Sequence, residues 1–290
     1  WKGKKSNILM TGLLHLKGKF MSLTELRKYG MGFLLIALLL FVICGCGNVA
    51  VKKEAERKTI VVGIDAYPPF SYIDENGKSS GIDAELARAA FSRMGYHAEI
   101  QRINWEKKDA LLSSGEIDCI WSCFSMKGRE DQYLWAGPYL MSRQVVAVNP
   151  DSDIRTLADL EGKVIAVQST TKPEGIFAHP GGRIPVVKGI YSFFDRDIIY
   201  TYLSKGYVDA IGAHETVIVQ YMKDYHTAFR ILDEPLMVVG VGVAFDKNDK
   251  RGIAEALRPV IREMSRDGTT EEILSHYVDQ PKSYLEGLDR

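Results

Sequence analysis

The sequence predicts an α/β protein built as two lobes, and three observations carry that expectation. Short β-branched runs alternate with amphipathic helical stretches from Thr59 onward. Repeated β-α-β alternation implies sheets that are mainly parallel, because parallel neighbours need a crossover. About 230 residues take part, more than one sheet comfortably organises, which favours two lobes.

The elements follow in order. Thr59–Ile64 (TIVVGI) reads as a strand. Ile82–Met94 places Ile82, Leu86, Ala89, Ala90 and Arg93 at helical spacing, and Gly95 stops it. His97–Ile103 alternates like a strand, Trp105–Ser114 reads as a helix and Glu116–Trp121 as a buried strand. Further strands are expected at Val145–Val148, Lys163–Val167, Ile184–Lys188, Val208–Ala213 and Val238–Phe245. Helices are expected near Phe194–Ser204, Glu215–Lys223, Asp249–Arg266 and Thr270–Val278. No internal repeat or low-complexity tract interrupts the pattern.

Of 290 residues, 46% are hydrophobic and 26% charged, the balance of a globular chain. Lys+Arg and Asp+Glu both number 37, and a neutral chain argues against a nucleic-acid partner. The neutrality is a sum of unlike parts. Residues 1–45 hold seven bases (Lys2, Lys4, Lys5, Lys17, Lys19, Arg27, Lys28) against Glu25, leaving thirty bases and thirty-six acids for 46–290.

Met31–Ile43 (MGFLLIALLLFVI) is an uncharged run that a helix would stretch to about 20 Å, short of a bilayer's hydrocarbon core. Arg27 and Lys28 precede it and small residues follow, which is the layout of a secretory signal peptide. Ile43-Cys44-Gly45-Cys46 resembles a bacterial lipobox, which implies lipid on Cys46 and membrane anchoring on the extracytoplasmic side. Residues 1–20 are expected to lie upstream of the natural product, since Met21 opens a signal peptide by itself. Residues 46–57 are short and polar, suited to a lipidated tether. Cys119 and Cys123 on one extended segment would sit about 13 Å apart, too far for a disulfide. They are expected as small apolar fillers, one of which could line a pocket. No metal site and no cofactor are expected.

Signatures of catalysis are missing: no GxSxG, HExxH, GxxxxGK[ST], or GxGxxG after a strand. Gly240-Val241-Gly242-Val243 lies within a β run and lacks a following helix start.

Several segments carry a resemblance. Val62 to Tyr72 (VGIDAYPPFSY) resembles the opening strand of the family 3 extracellular solute-binding proteins, the polar amino-acid receptors of ABC importers. In register follow Gly77-Lys78 with Gly81–Ala87, Trp105 with Leu111–Asp118, Arg129 with Trp135–Tyr139, and Leu157–Val167 with Thr170. Leu203–Ala210 and Asp267–Thr269 complete the series, which covers residues 59–278. The resemblance implies a two-lobed periplasmic-binding-protein type II fold with two hinge strands, near Arg143–Val148 and Met237–Phe245. Lobe 1 would combine 58–144 with 239–290, and lobe 2 would hold 145–238. A small polar solute, an amino acid or related carboxylate, would be captured between the lobes and passed to an ABC permease, by a monomer that is not an enzyme.

The same resemblance assigns roles. Arg129 would clamp the ligand carboxylate with two parallel charge-assisted hydrogen bonds; its alternative is a surface arginine beside Glu130 and Asp131. The stretch from Ser125 to Arg129 is one residue shorter than the family pattern. Thr170 would donate backbone N–H and hydroxyl to the carboxylate, or cap a helix. Ser122 and Ser125 fall where the family contacts its ligand, and Asp65 near the ligand's polar end or in a turn cap. Tyr67, Phe70, Trp105 and Trp121 are candidate aromatic walls, with core packing as the alternative. Where the family usually pairs an Asp with the ligand's ammonium, this chain has His214, followed by Glu215. A neutral histidine supplies no fixed negative charge, so either Glu215 or Asp65 substitutes, or the ligand is not a standard α-amino acid.

Two other classes compete. A ligand-sensing receptor would act through a separate signalling partner, since no kinase-like region or second apolar segment follows residue 278. A cyclohexadienyl-dehydratase-like enzyme would need a cleft acid/base, for which His214-Glu215 is the one inviting pair.

Overall fold

The computed structural model describes residues 58–288. The predicted signal peptide, Cys46 and the tether lie outside the described residues.

The first strand, β1 (Lys58–Ile64), pairs in parallel with β4 (Tyr96–Arg102) and β5 (Cys119–Ser125). Every residue of β5 is buried, the two serines Ser122 and Ser125 among them. A small ribbon, β2 (Tyr72–Ile73) with β3 (Ser79–Ser80), precedes helix α1 (Ile82–Arg93). The loop after β1 docks on the start of this helix: Ile82 and Asp83 donate their N–H groups to the carbonyls of Pro69 and Phe70, at 3.0 and 2.7 Å. Gly81 makes that docking feasible. Its φ is 106°, and a Cβ there would lie 2.6 Å from the Phe70 carbonyl oxygen.

The helix expected over Trp105–Ser114 divides into a 3₁₀ turn, Trp105–Lys107, and α2 (Lys108–Ser114). The Asn104 side chain caps the turn by accepting from the Glu106 N–H at 3.0 Å.

Strand β6 (Tyr133–Val148) has 16 residues, enough for roughly 50 Å of extended chain. Its first part pairs antiparallel with β11 (Met237–Asp246), which also borders β5. Its last part pairs antiparallel with β9 (Ala210–His214), and short β10 (Arg230–Ile231) adds to the same end. Beyond β9 lie β7 (Val164–Gln168) and β8 (Gly189–Phe193), both parallel. The sheet order is therefore β4-β1-β5-β11-β6-β9-β7-β8. Within the sheet, among the described residues, only β6 and β11 join the group around β1 to the group around β7. Helices α3 (Lys172–Ala178), α4 (Arg196–Ser204) and α5 (Glu215–Asp224) follow strands of the second group. The amphipathic α6 (Ile253–Arg266) buries Leu257, Ile261 and Met264 beside β6, and α7 (Thr269–Ser275) packs on it.

Sequence and structure differ in two strands. Ile184–Lys188 is not a strand; β8 begins at Gly189, after Pro185, which has no N–H to give a ladder. Val186 is also 73% exposed, so no face alternates there. The first three-quarters of β6, residues 133–144, were unexpected because Gly137-Pro138 interrupts the pattern. The structure accommodates the pair opposite a register shift between Val241 and Val243, where Gly137 comes up against Gly242.

Candidate functional site

A cavity opens at the carboxyl ends of β1, β7 and β9, the edge where α/β sheets present side chains to a crevice. Its volume is about 40 Å³. Asp65 and Tyr67 follow β1, Ser122 to Ser125 come from β5, and Gln144 from β6. Gln168 ends β7, Thr171 to Pro173 open α3, Arg196 and Tyr200 lie on α4, and His214 ends β9. A wider recess of about 720 Å³ shares Asp65, Trp105, Gln168, Arg196 and Tyr200 with it.

Arg129 is half-buried at this cavity. Its guanidinium donates to the Ser125 carbonyl at 3.2 Å and the Thr170 carbonyl at 3.1 Å, and lies 4.8 Å from the Phe124 ring centroid. Both acceptors are neutral, and no ion pair holds Arg129 among the described residues. Burial pulls its pKa below the ordinary value. Asp109 acts on it only without direct contact, so among the described residues its positive charge is left without an ion-pair partner, the condition for holding an anion.

Thr170 is not among the lining residues. Its φ is 57°, its N–H donates to Glu174 Oε2 at 2.6 Å, and its hydroxyl accepts from Lys108 Nζ at 3.2 Å. The expected backbone donor is thus already occupied, and the Thr170 carbonyl instead positions Arg129.

Asp65 meets Arg196 at 3.1 Å and accepts from Gln168 Nε2 at 2.9 Å. Arg196 also donates to the Ala66 carbonyl at 2.7 Å and to Gln168 Oε1, and lies 3.4 Å from the Tyr67 ring centroid. Sequence reasoning missed Arg196, Gln168, Gln144 and Tyr200. Glu106 accepts from Ser169 at 2.9 Å, so β1, the Trp105 turn, β7 and α4 all meet at this boundary.

His214 is 5% exposed, and both ring nitrogens are engaged: Nδ1 lies 2.7 Å from Ser142 Oγ and Nε2 lies 2.7 Å from Gln144 Nε2. With the Gln144 amide donating, Nε2 accepts and Nδ1–H donates to Ser142. Burial first, and the Arg196 charge second, lower its pKa to about 3, so it is neutral at pH 7. Glu215 turns away to an ion pair with Arg143 at 3.1 Å. The pair that sequence reasoning weighed as an acid/base couple is split between two partners.

The four aromatic candidates divide. Tyr67 and Trp105 line the cavity. Phe70 and Trp121 do not: Phe70 is 0% and Trp121 1% exposed, the latter packed on Phe91 and Tyr139. Large rings near strand ends bury most area by turning inward. Cys119 and Cys123 are free and buried, and Cys123 lines the cavity. Behind this wall, Asp83 accepts from the Cys123 N–H at 2.8 Å and the Tyr139 hydroxyl at 2.7 Å, fixing β5 in place.

Sequence and fold are similar to those of known proteins. A sequence model of the bacterial extracellular solute-binding proteins, family 3, matches residues 60–280. The chain belongs to that family. The L-cystine-binding protein TcyJ of Escherichia coli is 26% identical over 226 residues, 77% of this chain and 83% of that protein. The arginine-binding extracellular protein ArtP of Bacillus subtilis is 26% identical over 254 residues, 83% of this chain and 94% of its own length. The crystal structure of the substrate-binding protein of an amino acid ABC transporter is 29% identical, with a TM-score of 0.68, covering 77% of this chain and 100% of that one. As expected of a family 3 solute-binding protein, the fold is the mixed α/β type II arrangement.

Proposed function

We propose that this protein captures a small polar carboxylate, an amino acid or a related acid, between two lobes and delivers it to an ABC permease. The observation that carries this reading is Arg129, a guanidinium at the cavity that no carboxylate ion-pairs among the described residues. Lobe 1 comprises 58–144 and 239–290, lobe 2 comprises 145–238, and β6 and β11 supply the hinge near Arg143–Val148 and Met237–Phe245. Support for that division is the sheet order, in which, among the described residues, those two strands alone connect the two groups. Across that division Arg129 already meets the Thr170 carbonyl and Asp65 meets Arg196, so opening about the two strands would separate these pairs.

Binding, not catalysis, is the activity. His214 is neutral and spends both nitrogens on protein partners, and Glu215 is paired with Arg143, which leaves no poised acid/base at this position. Lipid on Cys46 would hold a monomer at the membrane surface outside the cytoplasm, where the family is extracellular.

A melting-temperature panel of amino acids, hydroxy acids, amines and small carboxylates tests the reading. Carboxylates are expected to raise the midpoint by mass action while amines lacking a carboxylate leave it fixed. A panel in which no carboxylate shifts the midpoint overturns it.

A further inference from the structure

Hydrogen-bonding groups left unused around a buried cavity describe the negative of what fills it, because a buried polar atom without a partner is costly. Five buried side-chain polar atoms lack a partner among the described residues, and three belong to cavity residues: Trp105 Nε1, Tyr200 Oη and Gln144 Oε1. Their residues are 8%, 2% and 2% exposed. Trp105 Nε1–H is a donor only. Burial pushes the Tyr200 phenol above its ordinary value, so it keeps its proton and can donate. Gln144 Oε1 is an uncharged acceptor.

Charge has the same sense. The ionic cavity residues are Arg129, Lys172, Arg196 and Asp65, and Asp65 is taken by Arg196. Asp65 apart, no carboxylate lines this inner cavity; Asp195, Asp197 and Asp224 line the wider recess. An ammonium could instead lie on an aromatic face, but three of the cavity rings already carry a protein cation, Arg196 on Tyr67 at 3.4 Å, Arg129 on Phe124 at 4.8 Å and Lys108 on Trp105 at 5.1 Å, and Tyr200 stacks on Tyr221 at 4.0 Å. A ligand ammonium would be desolvated beside cations with one neutral oxygen as its partner.

Resting on the proposed capture of a carboxylate, we infer that the ligand is a small carboxylic acid whose second polar group is a neutral donor, a hydroxyl or an amide N–H, in place of a free ammonium. Arg129 takes the carboxylate, Trp105 and Tyr200 donate to its acceptor atoms, and Gln144 Oε1 receives the neutral donor. The zwitterion of the same skeleton is discriminated against because nothing in the cavity offsets its ammonium.

Matched series on the full-length protein test this by calorimetric titration: alanine with lactate and N-acetylalanine, glutamate with 2-hydroxyglutarate and N-acetylglutamate, phenylalanine with 3-phenyllactate and N-acetylphenylalanine. In the series that fits the cavity, the hydroxy or N-acyl acid is expected to bind at least about tenfold more tightly than the amino acid, or about 1.4 kcal/mol. An amino acid that binds as well or better overturns this inference and leaves carboxylate capture standing. Failure of every member overturns carboxylate capture itself. Gln144→Glu places a charge where the neutral acceptor was and is expected to swing the preference at least about tenfold toward the amino acid; an unchanged ratio overturns the role of Gln144. Tyr200→Phe, which removes an oxygen that has no partner in the chain, keeps the ligand-free melting temperature and weakens the hydroxy or N-acyl acid several-fold. Unaltered affinity in that variant overturns the role of Tyr200.

Discussion

Arg196 and Asp65 join the two sides of the cavity: the guanidinium of α4 stands 3.1 Å from the carboxylate that follows β1, with side chains 11% and 15% exposed. The same guanidinium donates to the Ala66 carbonyl and covers the Tyr67 ring, so one side chain contacts three consecutive residues of the opposite side. Gln168 accepts from Arg196 and donates to Asp65, which closes the network. A charge-assisted network at this depth is sensitive to loss of one member, because the remaining ion is left without compensation.

Replacing Arg196 with Ala should therefore release the contact and leave Asp65 unpaired. The expected outcome is a larger radius of gyration in small-angle scattering of the ligand-free protein. In a double-mutant cycle with Asp65→Asn, the pair should show a coupling of about 1–3 kcal/mol. Additive effects together with an unchanged radius would show that the pair does not hold the two sides together.

His214 predicts acid sensitivity. Its pKa is about 3 in the fold, below the ordinary 6.5, so the unfolded chain binds the proton first as pH falls. Its neutral form supports the fold fully above pH 6.5, and that support drains away as pH falls from there toward 3. At pH 4 the loss would be about 3 kcal/mol for a shift of this size. His214→Asn should flatten the stability profile over that window in denaturant titrations. A variant curve parallel to the wild type would place the acid response elsewhere.

Asp83 predicts the opposite slope. Burial pushes its carboxyl well above the ordinary range, while the hydrogen bonds from Tyr139 and Cys123 pull the other way and only offset part of the shift. A raised value means stability is complete below pH 4 and declines as pH climbs toward the folded-state pKa. Asp83→Asn can donate to the Tyr139 oxygen and accept from the Cys123 N–H without any ionisation. Its melting temperature should match the wild type at pH 4 and exceed it increasingly toward pH 8. A difference that does not grow with pH would rule out this account of Asp83.

Local pattern made much of this molecule legible in advance. The run from Val62 to Tyr72 announced β1 and the loop after it, because β-branched residues followed by Pro68-Pro69 admit few alternatives. The helical spacing of Ile82, Leu86, Ala89, Ala90 and Arg93, with Gly95 as the stop, marked α1. Arg129 could be singled out by its place among the motifs, although its partners could not: the Thr170 carbonyl is 41 residues away. Arg196 gave no local signal, since its function arises from contact with Asp65, 131 positions earlier. Gln144 and Tyr200 were hidden for the same reason. Phe70 and Trp121 misled because an aromatic at a strand end serves core and cavity equally well in one dimension. Strand β8 escaped because it lies at the sheet edge, where Tyr191 is half-exposed and burial does not alternate.

Calorimetric titration of Arg129→Ala against the wild type, with whichever carboxylate the melting panel selects, addresses the centre of this account. Loss of two charge-assisted bonds to the carboxylate should weaken binding by at least about a hundredfold, with the ligand-free fold retained by circular dichroism. Binding of that carboxylate with unaltered affinity by a folded Arg129→Ala protein would contradict it.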